Sequence, residues 1–107
     1  MPSDALKSYE TMYIVRPNLD EEAVDRVVAA VDEYIKHAGR IVESTDKKGR
    51  RRLAYEVKKM RDGFYVLTYF QAKPSQIVAI KRMMTLSEDI IRSLIVALEE
   101  AALETSL

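Results

Sequence analysis

Basic side chains are concentrated in one short stretch of the chain. Eight of the 17 lysines and arginines lie within residues 47–61 against one acid, namely Lys47, Lys48, Arg50, Arg51, Arg52, Lys58, Lys59 and Arg61. The stretch carries a formal charge of +7 and the rest of the chain −7, so the net charge of zero conceals two opposed fields. Such a cationic element is typical of a polyanion-binding surface, because phosphates that meet Lys or Arg release condensed counterions. The alternative is a solvated basic hairpin without a ligand.

Residue types that support catalysis or metal binding are sparse. His37 is the only histidine, and it stands at the end of a predicted helix, where it meets unsatisfied carbonyls. There is no cysteine, and the carboxylates lack the spacing of metal ligands. The three glycines are isolated, which excludes a glycine-rich phosphate loop. We therefore predict no enzyme activity, no cofactor and no metal.

Length and hydropathy favour one small domain outside membranes. A chain of 107 residues is long enough for one hydrophobic core, which we expect within residues 9–97 of a domain spanning 1–107. Residues 1–8 and 98–107 are expected to be flexible or short extensions. No apolar run is long enough for a signal peptide or a membrane span, so the cytosol is the predicted location.

The first third of the chain predicts a strand followed by a helix. Residues 9–15 are rich in β-formers and precede Pro17, which cannot donate to a strand ladder. Asp20 is a suitable helix cap, and acids follow it at the positive end of the helix. Apolar residues then recur at helical spacing until Gly39, so this helix must bury one stripe against a sheet.

The rest of the chain predicts a long hairpin, a second helix and a last strand. Residues 40–43 and 50–59 form one irregular strand, and the Asp-Gly pair within residues 60–63 predicts its turn. Further elements are a strand over 64–71, a helix from Pro74, and a strand over 90–97. The order predicts an α+β, ferredoxin-like split β-α-β sandwich: a four-stranded antiparallel sheet with two helices on one face. The open face or the hairpin is left to bind a ligand.

Aromatic residues matter for RNA because bases stack on exposed rings. Residues 62–69 share a glycine and aromatic positions with the third strand of RNA-recognition-motif domains. Asp62 replaces the basic residue of that octamer and Tyr65 replaces the small one, which disfavours stacking of that type. Tyr9 and Tyr55, beside charged residues near strand ends, are expected to show a ring face or hydroxyl to a ligand, and packing in the core is the alternative for both.

Several short motifs together resemble one family, that of bacterial small-subunit ribosomal protein S6. They are Tyr9-Glu10, Arg16-Pro17-Asn18-Leu19-Asp20, Gly39-Arg40-Ile41-Val42, Arg51-Arg52-Leu53-Ala54-Tyr55 and Gly63-Phe64-Tyr65. The resemblance implies a ferredoxin-like fold and a structural constituent of the small ribosomal subunit without enzyme activity. It further implies binding to the central domain of small-subunit ribosomal RNA together with ribosomal protein S18.

The same resemblance implies which residues meet RNA or the partner. Arg51, Arg52 and Tyr55 lie in the shared motif, and Arg50 extends it. Lys7, Tyr9 and Arg92 match basic or tyrosine positions that lie toward RNA in the family. The chain is expected to be monomeric when free and to act in cytoplasmic ribosomes, with a plastid ribosome left open.

Two other functions stay open at this point. A ferredoxin-like regulatory module would dimerise through its sheet and hold a small metabolite between subunits. An acyl-phosphate hydrolase of similar fold would need a phosphate-binding loop after the first strand, for which Arg16-Pro17-Asn18-Leu19 is poorly suited.

Overall fold

The computed structural model describes residues 5–38 and 41–98. Its elements are β1 (Lys7–Val15), α1 (Glu21–Ala38), β2 (Ile41–Val57), β3 (Met60–Ala72), α2 (Ile77–Leu86) and β4 (Ile90–Ala97). The strands form one antiparallel sheet in the order β2-β3-β1-β4. This confirms the predicted ferredoxin-like fold. Neither helix is long and apolar enough to cross a membrane, as judged over the described ranges.

One face of the sheet is covered by both helices and holds the main core. Tyr13, Val66 and Phe70 are fully buried there, because side chains alternate between the two faces of a strand. The helices add buried residues at helical spacing, namely Val24, Val28, Val31 and Ile35 from α1 and Ile80 and Met84 from α2. Burial of this apolar surface supplies the main driving force for folding.

Tyr9 belongs to this core, which corrects the expectation that it shows a ring face to a ligand. Its exposed fraction is 7%, and its ring stacks on Phe70 with centroids 5.7 Å apart. The cause is strand parity: Tyr9 lies an even number of residues from Tyr13, so both point to the helix-covered face. A ring packed in this way is not available for stacking on a base.

The start of α1 follows the predicted cap. The Asp20 Oδ1 atom accepts a hydrogen bond from the backbone N–H of Ala23 over 2.8 Å, which satisfies one of the free donors of the first turn. Glu21 and Glu22 follow at the positive end of the helix. The predicted stop at Gly39 lies outside the described residues.

The hairpin turn is two residues earlier than predicted. Lys58 and Lys59 have φ values of 49° and 66°, and they join Val57 directly to Met60. Two left-handed residues in succession form the tight turn that matches the twist of a hairpin. The turn predicted over residues 60–63 is therefore wrong, and its Asp-Gly pair lies inside β3, opposite Arg52 and Arg51.

A polar row crosses the helix-covered face and ties α1 to the sheet. The Thr45 hydroxyl lies 2.9 Å from Asp32 Oδ1 and 3.3 Å from the Thr68 hydroxyl. A consistent network has Thr68 donating to Thr45 and Thr45 donating to Asp32. Burial raises the pKa of Asp32 above its ordinary value, and the bond from Thr45 partly offsets this. The row thus keeps a half-buried carboxylate hydrogen-bonded beside the core.

Candidate nucleic-acid interface

The β2–β3 hairpin extends past the end of β1 and bends over the open sheet face. We call its free part, residues 51–62, the arm. The last pair between β1 and β3 is Val15 with Phe64, so the described residues of the arm do not pair with β1 in the sheet. Instead Leu53, 8% exposed, packs against Ile14 and Ile91 on the open face. The arm is therefore anchored by apolar contacts and not only by its own ladder.

An irregularity in the arm produces this bend. The ladder pairs Arg52 with Asp62 and then Val57 with Met60, so residues 53–56 lie opposite Arg61 alone. Extra residues on one strand of a pair break the ladder and increase its twist. Residues 53–56 bend toward the open face of the sheet, so Leu53 and Tyr55 lie over that face.

The arm brings together two of the predicted site residues, Tyr55 and Arg92. The Tyr55 hydroxyl accepts a hydrogen bond from Arg92 Nη1, and the guanidinium carbon lies 5.2 Å from the ring centroid. Tyr55 comes from one edge strand of the sheet and Arg92 from the other. Tyr55 is still 61% exposed, so much of its side chain remains accessible to solvent. The contact links the arm to β4.

The three consecutive arginines do not share one face of the hairpin. Arg51 lies opposite Gly63, and alternation places it on the same side as Leu53 and Tyr55. Arg50 lies on the other side, where its Nε atom pairs with Asp62 Oδ2 over 2.7 Å and its guanidinium lies 5.8 Å from the Phe64 centroid. Arg50 thus has an internal partner for its charge.

Most other cations of the basic stretch also have acidic partners. Lys47 pairs with Asp25 on α1, and this hydrogen bond raises the pKa of Lys47. Lys48 pairs with Asp46, and Arg61 lies 3.8 Å from Glu56. Within residues 5–38 and 41–98, four exposed cations of the arm make no ion pair: Arg51, Arg52, Lys58 and Lys59. These four leave an uncompensated positive field along the arm, with Lys58 and Lys59 at its turn and Arg51 and Arg52 at its base.

Lys7 and Tyr9 do not join the cluster around Tyr55. Lys7 is exposed at the start of β1, opposite Ala72, whereas Arg92 lies opposite Ile14. Seven residues of strand separate Lys7 from Ile14, a distance of about 24 Å at ~3.4 Å per residue. The structure therefore divides the predicted site into an arm cluster and a distant Lys7.

Some residues of the open face were missed by sequence reasoning. Leu53 is the anchor of the arm, and Met12 and Leu94 are apolar side chains left 41% and 64% exposed beside it. The available signal was Leu53 itself, an apolar residue that stands between two arginines and Ala-Tyr in the shared motif. No group of three or more His, Cys, Asp or Glu side chains in the described part of the chain is placed to hold a metal ion.

Comparison with known proteins decides the family. The family model for ribosomal protein S6 matches residues 8–97. The chain belongs to the ribosomal protein S6 family. It is 39% identical to small ribosomal subunit protein bS6 of Moorella thermoacetica over 97 residues, which cover 91% of this chain and 99% of that protein. Against bS6 of Trichormus variabilis it is 43% identical over 91 residues, covering 85% of this chain and 84% of that one.

A solved structure agrees with this assignment. The crystal structure of 30S ribosomal protein S6 from Thermotoga maritima superimposes with a TM-score of 0.84 at 26% identity, covering 96% of this chain and all of that one. Membership of the ribosomal protein S6 family makes the chain a structural, non-enzymatic constituent of the small ribosomal subunit. Its bacterial relatives also confirm the predicted location, the ribosome of the cytoplasm.

Proposed function

We propose that this chain binds the central domain of small-subunit ribosomal RNA together with ribosomal protein S18, and that the arm carries the RNA contact. The observation that supports this is the set of exposed arm cations that make no ion pair with the described residues, Arg51, Arg52, Lys58 and Lys59. A cation that already pairs with a carboxylate must break that ion pair before it binds a phosphate, which weakens the binding. The four arm cations have no ion pair with the described residues to break, so they can bind phosphate without this loss.

The RNA contact is directed at the backbone rather than at stacked bases. The arm covers part of the open sheet face, and Leu53 occupies the place where a base would otherwise meet Ile14. Lys and Arg read phosphate charge without sequence preference. With about five contacts, from the four arm cations and Arg92, the logarithm of affinity should fall by about 3.5 to 4.5 for each tenfold rise in salt, at ~0.7 to 0.9 per contact.

The chain acts as a monomer when free, and residues 1–107 form one domain around a core at 9–97. The rival, a metabolite-binding dimer, would use the same open face, where Met12, Leu94 and Val96 are exposed. Light scattering separates the two, because the rival is a stable dimer whose melting temperature rises with its metabolite. The ribosomal function instead predicts a monomer that is stabilised by RNA and S18.

Filter binding to a central-domain fragment of the ribosomal RNA tests the proposal. The fragment is titrated with the chain, with S18 present or absent, at about 50 and about 200 mM salt, a range over which phosphate-directed complexes weaken strongly. We expect binding that appears or tightens with S18 and weakens with salt. A folded chain that binds under none of these conditions, with RNA that still binds other ribosomal proteins, contradicts the proposal.

A further inference from the structure

The arm has little backbone pairing of its own to hold its shape. Among the described residues, its two strands share one pair beyond residue 52, Val57 with Met60. A two-stranded ribbon without further support is marginally stable at best in water. Lys58 and Lys59 weaken it further, because both have positive φ values, which residues other than glycine seldom adopt, and their like charges repel each other. The bend of the arm therefore depends on contacts with the rest of the sheet.

Two side-chain contacts supply that support. Leu53 packs against Ile14 and Ile91 on the open face. Two residues further along the chain, the Tyr55 hydroxyl accepts a hydrogen bond from Arg92 Nη1, and the Arg92 guanidinium carbon lies 5.2 Å from the ring centroid. We call this contact between Tyr55 and Arg92 the latch. Because Ile91 and Arg92 are adjacent, both contacts fasten the arm to the same part of β4.

The latch lies in the middle of the arm cations. In the chain, Tyr55 stands between Arg52 at the base of the arm and Lys58 at its turn. The latch is thus the contact nearer to the turn, whereas Leu53 holds the base. Arg92 can latch the arm and still bind a phosphate, because a guanidinium has five N–H donors and the Tyr55 hydroxyl takes one of them. The latch therefore fixes the turn of the arm relative to Arg92.

An arm held in one bend offers its cations to RNA as a preformed set. A loose arm must be ordered when it binds, and only the fraction of molecules with the arm in place is ready to bind. Loss of the latch would therefore lower the affinity for RNA. The salt slope, in contrast, reports the number of phosphates that are neutralised, and this number stays the same when a neutral side chain is changed. Lower affinity at an unchanged slope is the signature of a positioning residue.

We infer that Tyr55 is a positioning residue for RNA binding: through Arg92 it holds the bend of the arm, and it does not itself contact phosphate. This inference rests on the proposed function, since it explains how the arm is kept ready for RNA. It adds to the arm cations a neutral residue on which their joint action depends.

The inference is tested with Tyr55→Leu and its matched control Tyr34→Leu. Tyr34 lies on α1, on the opposite side of the sheet, and its hydroxyl likewise donates one hydrogen bond, to the carbonyl oxygen of Ala79. With S18 present, we expect Tyr55→Leu to bind the ribosomal RNA fragment about threefold to tenfold more weakly, as for loss of one hydrogen bond and one cation–π contact. Its salt slope should equal that of the wild type. Tyr34→Leu should change neither quantity.

A second measurement follows the arm in the free chain, without RNA or S18. Backbone order parameters of residues 52–61 are obtained by NMR relaxation of the labelled protein. We expect values close to those of the sheet for the wild type and for Tyr34→Leu, and lower values for Tyr55→Leu. Tyr55→Phe keeps the ring beside the guanidinium and loses the oxygen acceptor, so it should be intermediate in both order and RNA affinity.

The outcomes separate this inference from the proposed function. A wild-type chain that binds no RNA overturns the proposed function and this inference together. Wild-type binding that Tyr55→Leu leaves intact overturns the inference alone, as does equal loss in Tyr34→Leu. Weaker binding by a Tyr55→Leu chain whose arm is as ordered as in the wild type assigns Tyr55 a direct contact and also overturns it. A lower salt slope has the same meaning. Circular dichroism verifies that each variant is folded.

Discussion

Gly63→Ala is expected to destabilise the protein by about 3 kcal/mol and to lower its Tm by about 12 °C or more. A Cβ atom at Gly63 would lie 2.5 Å from Cγ2 of Ile14 and 2.9 Å from the carbonyl oxygen of Val15. Neither atom can move away easily, because Cγ2 is held by the restricted χ1 of a buried, β-branched side chain and the backbone oxygen belongs to the β1 strand. The overlap therefore pushes β3 from β1 at the place where the arm begins. Chemical denaturation measures the loss.

Gly49→Ala is the matched control for this prediction. Gly49 has a φ of +89°, and a Cβ atom there would meet no neighbouring atom within 4 Å, so alanine at this position has backbone strain without overlap. That strain costs about 1–2 kcal/mol, and an asparagine tolerates it better. Asparagine should accordingly rescue position 49 and should not rescue position 63. Equal stability of Gly63→Ala and the wild type would contradict the close packing of β1 on β3.

The double variant Arg51→Glu/Arg52→Glu is expected to bind the ribosomal RNA fragment at least about tenfold more weakly near 0.1 M salt. Removal of two phosphate contacts should also reduce the salt slope by about 1.4 to 1.8. Both side chains are exposed and without ion pairs among the described residues, so the fold loses no ion pair of theirs. Arg50 is left intact because it pairs with Asp62 and lies near the Phe64 ring. Filter binding at several salt concentrations gives both quantities.

A variant with the same change of charge on the other side of the molecule controls for net charge. Lys81→Glu/Arg82→Glu reverses two adjacent exposed cations of α2, which make no ion pair in the described part of the chain. It should bind RNA nearly as well as the wild type. If both double variants lose affinity equally, the effect is one of overall charge, and the assignment of the RNA contact to the arm is wrong.

The fold was predictable because each element carries its own periodic pattern. Apolar residues at helical spacing predicted α1 and α2, and runs of β-forming residues predicted β1 and β4. The predicted bounds of β1 and β4 agree with the structure to within two residues. The turn was misplaced because an Asp-Gly pair usually signals φ > 0. Here Gly63 is needed for close approach to Ile14 and Val15, while two lysines adopt the turn.

The candidate site was predictable in composition but not in arrangement. The cluster of basic residues indicated the arm. It did not show that Arg50 and Arg51 lie on opposite faces of the hairpin, or that Lys47 and Arg50 form ion pairs with acids distant in sequence. The contact between Tyr55 and Arg92 depends on the irregular pairing of residues 53–56, and no local pattern encodes which way such a segment bends. Tyr9 is buried because of the side of β1 on which it lies. The sequence does not show which side faces the helices, because residues on both faces of β1 are largely apolar.

Mapping of the RNA contact by NMR tests the central claim most directly. Backbone amide shifts of the labelled chain would be followed as the central-domain fragment and unlabelled S18 are added. We predict that RNA-dependent changes cluster on Arg51, Arg52, Lys58 and Lys59 and on the part of β4 around Arg92, with α1 and α2 unaffected. Changes centred on the helices, or the absence of changes in the arm while RNA is bound, would contradict the assignment of the arm as the RNA-binding element.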